Sequence, residues 1–417
     1  MNIFKTKIAM FAIVFLMLFY FTNDFSLIDI EKTAIVVALG IDSEDNEYTV
    51  TAQIAVPSST AEKTVKNQDK SVESKGKTVG EAIDRIGEIT GWYPMLSFCE
   101  LIVFGKNILN GDVMDTLSYF IRSDKVPDSA ILATCEDKAS DILKSKAPLD
   151  DMSAFALEKI ISRESKSMET ISVTNIKDFA QSYYSKSGSS FMPMIKIIND
   201  KSGNNSGEAN TESGNNSNQT ASGSGDSADK TSSANGNDSK ENIYDTTVTC
   251  IFSKGKLCDY LTNEETMAFN LINKNQAKTL YTVSGVKMED KTSDVTLKMQ
   301  KINVTKKLSF DEGPVYNLDV DITFRIEDAD ASLDKCQLTH MQPIPQNILD
   351  AAEEEIAATI QSLYDKCASS DCDLLKIKEN LYKYHYDEYE IYKDFPLNKI
   401  SLKSNVTCHS SVKNNAA

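Results

Sequence analysis

Metal-binding and nucleophile signatures are missing from this chain of 417 residues. Its three histidines, His340, His385 and His409, are scattered, and no HExxH-type spacing occurs. The common metallohydrolase pattern is thereby excluded. There is no GxSxG, no Walker loop and no GxGxxG, so a nucleophile elbow, a P-loop and a dinucleotide site lack their signatures. Eight cysteines occur without one CxxC, which removes the usual zinc and thioredoxin spacings. Positive charge is the scarcer sign: 44 Lys and Arg stand against 61 Asp and Glu, a net −17. Such a chain repels nucleic acid, which is not an expected partner. Beyond Phe21 no long apolar run remains, which excludes a polytopic membrane protein. No catalytic, cofactor-binding or metal-ligating residues are expected, and no enzyme activity.

Hydrophobic residues nevertheless make up 41%, enough for real cores. The length allows two or three domains of roughly 100–200 residues each. Lys5 and Lys7 precede an uncharged run from Ile8 to Phe21. A basic head before an apolar run is an export signal, with the lysines kept inside and the rest of the chain outside. The run ends Phe-Tyr-Phe-Thr-Asn-Asp, with no small-x-small cleavage site and no nearby Cys to carry a lipid. Counted from Ile3 with the lysines snorkelling, it spans about 28 Å at about 1.5 Å per residue, close to a hydrocarbon core. The reading is an uncleaved single-pass anchor with membrane ends at Ile8 and Phe21. A cleaved signal and a buried core helix are the alternatives.

Periodicity then predicts alternating elements. Strands are expected at 33–41 and 47–56, joined by turn chemistry at 42–46 into an antiparallel hairpin. Residues 58–77 are polar and read as loop. Thr78, with Glu81 at the capping-box position, starts a helix to about Ile89 that has Val79, Ala82, Ile83 and Ile86 on one face. Further strands are expected at 100–104 and 130–135, and helices at 113–123, 139–145, 154–161 and 175–184. Residues 201–240 contain no Val, Ile, Leu, Met, Phe, Trp, Tyr or Cys. Nothing there offsets chain entropy by burial, so disorder is expected. The run reads either as a linker or as the overlong loop of a hairpin between 191–198 and 244–252, since loop closure grows costly only slowly with length. A strand at 258–261, a helix at 264–273, a long hairpin at 295–310 and 315–326, helices at 346–367 and 374–384, and a final strand at 400–408 complete the pattern.

The remaining clusters read as structure. The acidic pairs Asp150-Asp151 and Glu264-Glu265 and the triplet Glu353-Glu354-Glu355 are solvated faces in so acidic a chain. Tyr382, Tyr384, Tyr386, Tyr389 and Tyr392 read as packing of a C-terminal helix. Cys367 and Cys372, separated by four residues in a helix–helix loop, are the one candidate disulfide.

Several segments together carry a family resemblance. Ala34-Ile-Val-Val-Ala-Leu-Gly-Ile-Asp42 followed by Tyr48 to Pro57 resembles the opening of the Ger(x)C family, the C subunits of spore germinant receptors. Pro148-Leu149 with Ala154-Phe-Ala-Leu-Glu-Lys159 is similar to a family signature, as are Phe252-Ser-Lys-Gly-Lys-Leu257 and Leu261-Thr-Asn-Glu-Glu-Thr266. The resemblance implies a multi-domain α+β protein of mixed and antiparallel sheets packed with helices. With the anchor read over 1–25, it implies an N-terminal domain over 26–149, a middle domain over 150–285 carrying the disordered run as an insertion at 199–243, and a C-terminal domain over 286–417. It also implies a place at the outer face of the spore inner membrane, beside a transporter-like integral-membrane subunit and a second membrane subunit. No cofactor and no enzymatic activity are implied. Relatives carry a lipobox Cys where this chain reads Phe21-Thr-Asn-Asp-Phe25, so the transmembrane anchor substitutes for a lipid. The competing readings are an exported, tethered small-ligand-binding protein or enzyme, and a general cell-surface scaffold.

Overall fold

The computed structural model describes residues 7–8, 10–17, 33–55, 71–147, 150, 152–162, 170–198, 242–274, 279–288, 291–311, 313–329 and 343–412. Strands β1 (Thr33–Glu44) and β2 (Glu47–Ala55) form the expected antiparallel hairpin. Asp45 and Asn46 turn it at φ of 51° and 63°, a region that short polar side chains tolerate. β3 (Ser71–Gly76) extends the hairpin against β2. Its sequence, Ser-Val-Glu-Ser-Lys-Gly, holds one apolar residue, which is why it reads as loop: an edge strand needs little burial.

The same sheet continues through β4 (Tyr93–Met95), β5 (Leu101–Phe104), β6 (Ile131–Cys135), β7 (Thr174–Asn175), β8 (Ser189–Ile198), β9 (Ile243–Ser253) and β10 (Lys256–Leu261). The main strand order is β10-β9-β8-β6-β5-β1-β2-β3. β1, β5, β6 and β8 are parallel, and the outer hairpins are antiparallel. The parallel strands are buried on both faces, so β5 reads Leu-Ile-Val-Phe without alternation. Ile102, Phe104, Leu132 and Met192 face helices α1 (Val79–Thr90), α2 (Val113–Arg122) and α5 (Ile176–Tyr184). Leu101, Val103, Ala133 and Ile195 face α3 (Ala139–Lys144) and α4 (Ser153–Ile161). Phe104, Phe120, Phe179 and Phe252 are fully buried on the first side, each contributing roughly 1.5–3 kcal/mol through apolar area.

A second sheet holds β11 (Leu280–Met288), β12 (Lys291–Ser309), β13 (Val315–Ala329) and β14 (Ser401–Ser410), in that order. β14 lies parallel to β13. The sheet packs against α7 (Gln346–Ser369), whose Ile348, Ala352, Ile356, Ile360 and Leu363 are buried as the sequence pattern requires. Helices α6 (Asn263–Lys274), α8 (Ile377–Tyr384) and α9 (Tyr386–Tyr392) complete this unit. Its core also takes in Ile251 and Leu261 from β9 and β10, so the two units share apolar contacts.

Strand pairing divides the chain differently from the sequence reading. β8, β9 and β10 belong to the sheet begun by β1, so the expected border between 149 and 150 falls within one unit. The expected border at 285 falls inside β11. The pairing of β6 with β8 joins Thr134 to Met194, and no local signal announces so distant a partner. The predicted hairpin around the polar run is present: Ile198 pairs with Ile243 and Met192 with Cys250.

Candidate interaction surface

Ten residues of the predicted anchor, 7–8 and 10–17, are helical. Their apolar side chains are exposed, among them Ile8, Met10, Phe11, Phe15 and Leu16. Among the described residues no helix is long and apolar enough to cross a membrane. The predicted far end, Phe21, lies outside the described residues.

The first strand after that segment, β1, begins at Thr33, which pairs with Tyr93 of β4. Four large apolar side chains cluster in sequence at this end of the sheet, from the last turn of α1 to the loop before β5: Ile89, Trp92, Tyr93 and Phe98 are 61%, 48%, 43% and 54% exposed. The backbone there is firmly held. Gly91 ends α1 in the left-handed region at φ 73°, and its amide donates to the Gly87 carbonyl. The Thr90 hydroxyl donates to the Ile86 carbonyl at 2.7 Å and accepts from the Trp92 amide at 3.2 Å. The Cys99 amide donates to the Leu96 carbonyl, and the Glu100 amide to the Val37 carbonyl, which fixes the loop carrying Phe98. Aromatic side chains with a polar tip, presented from rigid backbone, suit a protein interface or a membrane–water boundary. Sequence reasoning passed over these residues, since exposure has no periodicity; the lone Trp92 was the available signal.

A second aromatic surface lies on α8 and α9. Tyr382 packs edge-on against Tyr386 and Tyr389, with centroids 5.9 and 5.2 Å away. The Lys186 ammonium sits 4.8 Å over the Tyr382 ring. Phe310 stacks on Tyr392 and meets His385 edge-on. Tyr389 and Tyr392 pack on the core as expected of a C-terminal helix, while Tyr384, Tyr386 and Ile391 remain exposed.

Polar groups elsewhere are structural. The Asp42 carboxylate accepts the Ala139 and Ser140 amides at 2.8 and 3.1 Å. Burial pushes its pKa up, and those two amide bonds pull against the shift. A cleft of about 450 Å³ is lined by Glu136, Lys138, Asp141, Lys144 and Lys196, among others. Its lysines are paired: Lys196 with Glu136 at 2.6 Å, Lys144 with Glu73 at 2.5 Å, Lys138 with Glu44 at 3.4 Å. Among the described residues, no group of three or more His, Cys, Asp or Glu is placed to hold a metal ion. His340 lies outside the described residues. The candidate disulfide is not formed: Cys367 and Cys372 are both free thiols. The turn brings the Cys372 amide to the Cys367 carbonyl at 2.9 Å but aims the Cys372 sulfur at the Phe252 carbonyl of β9, 3.4 Å away.

Two family models match this chain. One, described as the spore germination protein N-terminal domain, covers residues 27–197. The other, described as spore germination B3/GerAC-like, C-terminal, covers residues 247–415. The chain belongs to the Ger(x)C family of germinant receptor C subunits. The crystal structure of the GerBC protein has the same fold, with a TM-score of 0.50 at 17% identity over 89% of this chain and 96% of that one. Comparison with curated proteins finds no match. In this Ger(x)C chain the polar run falls between the two matched regions, and β8 and β9 on either side of it still pair in one sheet.

Proposed function

We propose that this Ger(x)C chain is the non-catalytic, membrane-anchored subunit of a nutrient germinant receptor. In this reading Ile8 to Phe21 span the spore inner membrane and the folded body stands on its outer face. The body contacts two integral-membrane partners, a transporter-like subunit and a second membrane subunit. The observation that carries the reading is the exposed set Ile89, Trp92, Tyr93 and Phe98, held at the end of the sheet where β1 enters from the apolar segment. It supports a body seated with that end toward the membrane. Trp and Tyr favour such boundaries, where one part of the ring system is apolar and the other wet.

Removing the chain is expected to abolish or slow nutrient-triggered germination while spores still form. Normal germination across a nutrient panel, in a strain with no second copy, overturns the reading. The chain is expected to stay with spore membranes without incorporating labelled palmitate, and incorporation overturns the anchor. A photo-crosslinker at Trp92 is expected to capture lipid or a membrane subunit, and one at Phe155, on the opposite face of the sheet, to capture neither.

A further inference from the structure

Six of the seven described cysteines are buried, and Cys258 is exposed. Cys258 lies on β10, the edge strand of the large sheet. There Leu257 pairs with Phe252 and Asp259 with Ile251, so the register shifts at Cys258, as at a bulge that re-aims a side chain. Cys372 belongs to the other unit, in the turn that follows α7. That turn is laid against β9. Asp371 adopts a left-handed φ of 46°, and its carbonyl accepts from the Ser253 hydroxyl at 3.4 Å. The buried Cys372 thiol donates to the Phe252 carbonyl at 3.4 Å, and Phe252 pairs with Leu257, the residue next to Cys258. An accessible cysteine and a buried one are therefore brought to the same junction of the two units, on either side of Phe252.

We propose that Cys258 and Cys372 form a thiol–disulfide exchange pair that closes into a disulfide between the edge of the large sheet and the turn after α7. The oxidant is an external disulfide, R–S–S–R. The Cys258 thiolate attacks one of its sulfurs, forming a Cys258–S–S–R bond and expelling R–S⁻. Cys372 then loses its proton, and its sulfur attacks Cys258 Sγ, breaking the mixed disulfide and expelling the second R–S⁻. The two protein thiols lose two electrons and two protons, and the oxidant leaves as two molecules of R–SH. The electrostatics fit these roles. The neighbouring Cys372 thiol lowers the Cys258 thiol against its own burial, which favours the Cys258 thiolate as the attacking group. Cys258, with burial, pushes Cys372 up. Cys99, Cys250, Cys367 and Cys408 are each pushed up by burial to about 12. The product ties together segments 258 and 372, far apart in sequence, and so fixes the second unit against the first.

The test uses the full chain, reduced, then exposed to oxidised glutathione, alkylated and digested. The wild type is expected to yield a peptide linked through Cys258 and Cys372 and to retain no glutathione. Cys372→Ser is expected to keep one glutathione on Cys258, because nothing resolves the adduct. Cys258→Ser, altered at an exposed position, is expected to form no link and to carry no adduct on Cys372. A wild type that retains glutathione on Cys258, one that yields a Cys367–Cys372 link instead, or one whose Cys258 stays fully alkylatable after oxidation overturns the proposal.

Discussion

Single residues in this chain show how burial and charge are balanced. Lys306, on β12, donates to the Asn273 side chain at 3.1 Å. Burial pushes its ammonium down to about 8, and Lys376 adds like-charge repulsion. A folded pKa below the unfolded value of 10.5 means that the charged form costs stability. That cost is fully present below about 8 and fades as pH rises toward the unfolded value. Lys306→Met is therefore expected to stabilise the fold by about 1 kcal/mol near pH 7 and by less near pH 9, read as a rise in urea midpoint at the two pH values. Other residues were plain in the sequence. The Thr78 hydroxyl accepts from the Glu81 amide at 3.1 Å, and the Glu81 carboxylate accepts from the Lys77 amide at 2.8 Å. A capping signature is local, so spacing alone reveals it. Lys306 was not legible, because its desolvation depends on residues far along the chain.

Elements with a long apolar stripe behave the same way. Along α7, Ile348, Ala352, Ile356, Ile360 and Leu363 are buried and Ala351 is partly so, at the spacing of one helical face. Ile360 is 1% exposed within the core of the second unit. Ile360→Ala is expected to cost about 2–5 kcal/mol through lost contacts and the cavity left behind. An equilibrium denaturant curve with a lowered midpoint and an unchanged slope is the measurement. The short and edge elements were the illegible ones. β3 carries one apolar residue, and β4 and β7 hold three and two residues in all. β11 buries Tyr281, Val283 and Val286, but a register shift between Val283 and Val286 interrupts the alternation that would mark it as a strand. The exposed aromatic residues Trp92 and Phe98 have no stripe to betray them, because what marks them is failure to be buried.

At the scale of the whole molecule, the large sheet spans the polar run, since Ile198 and Ile243 are paired neighbours. Replacing residues 199–242 with a short Gly/Ser turn shortens a loop whose closure cost changes only slowly with length, by about 0.6 kcal/mol per doubling. The unfolding midpoint is expected to hold or rise slightly, and a collapsed midpoint would show that the run contributes to the fold. Helix and hairpin content was legible from local pattern. The assembly was not: the parallel contacts of β6 with β8 and of β13 with β14 join residues that only the finished fold brings together. The second of these pairings has a consequence for biogenesis. β14 runs beside β13 from Ser401 to Ser410, yet the ribosome makes it only after all of α7, α8 and α9. Until then β13 has a bare edge, and the inward-facing Val406 and Cys408 are not yet made. The sheet of the second unit therefore cannot be completed until its last strand has been synthesised. A stop codon just before Ser401 removes that strand with its buried Val406 and Cys408 and is expected to cost the second unit far more stability than its ten residues suggest, read as a lowered unfolding midpoint.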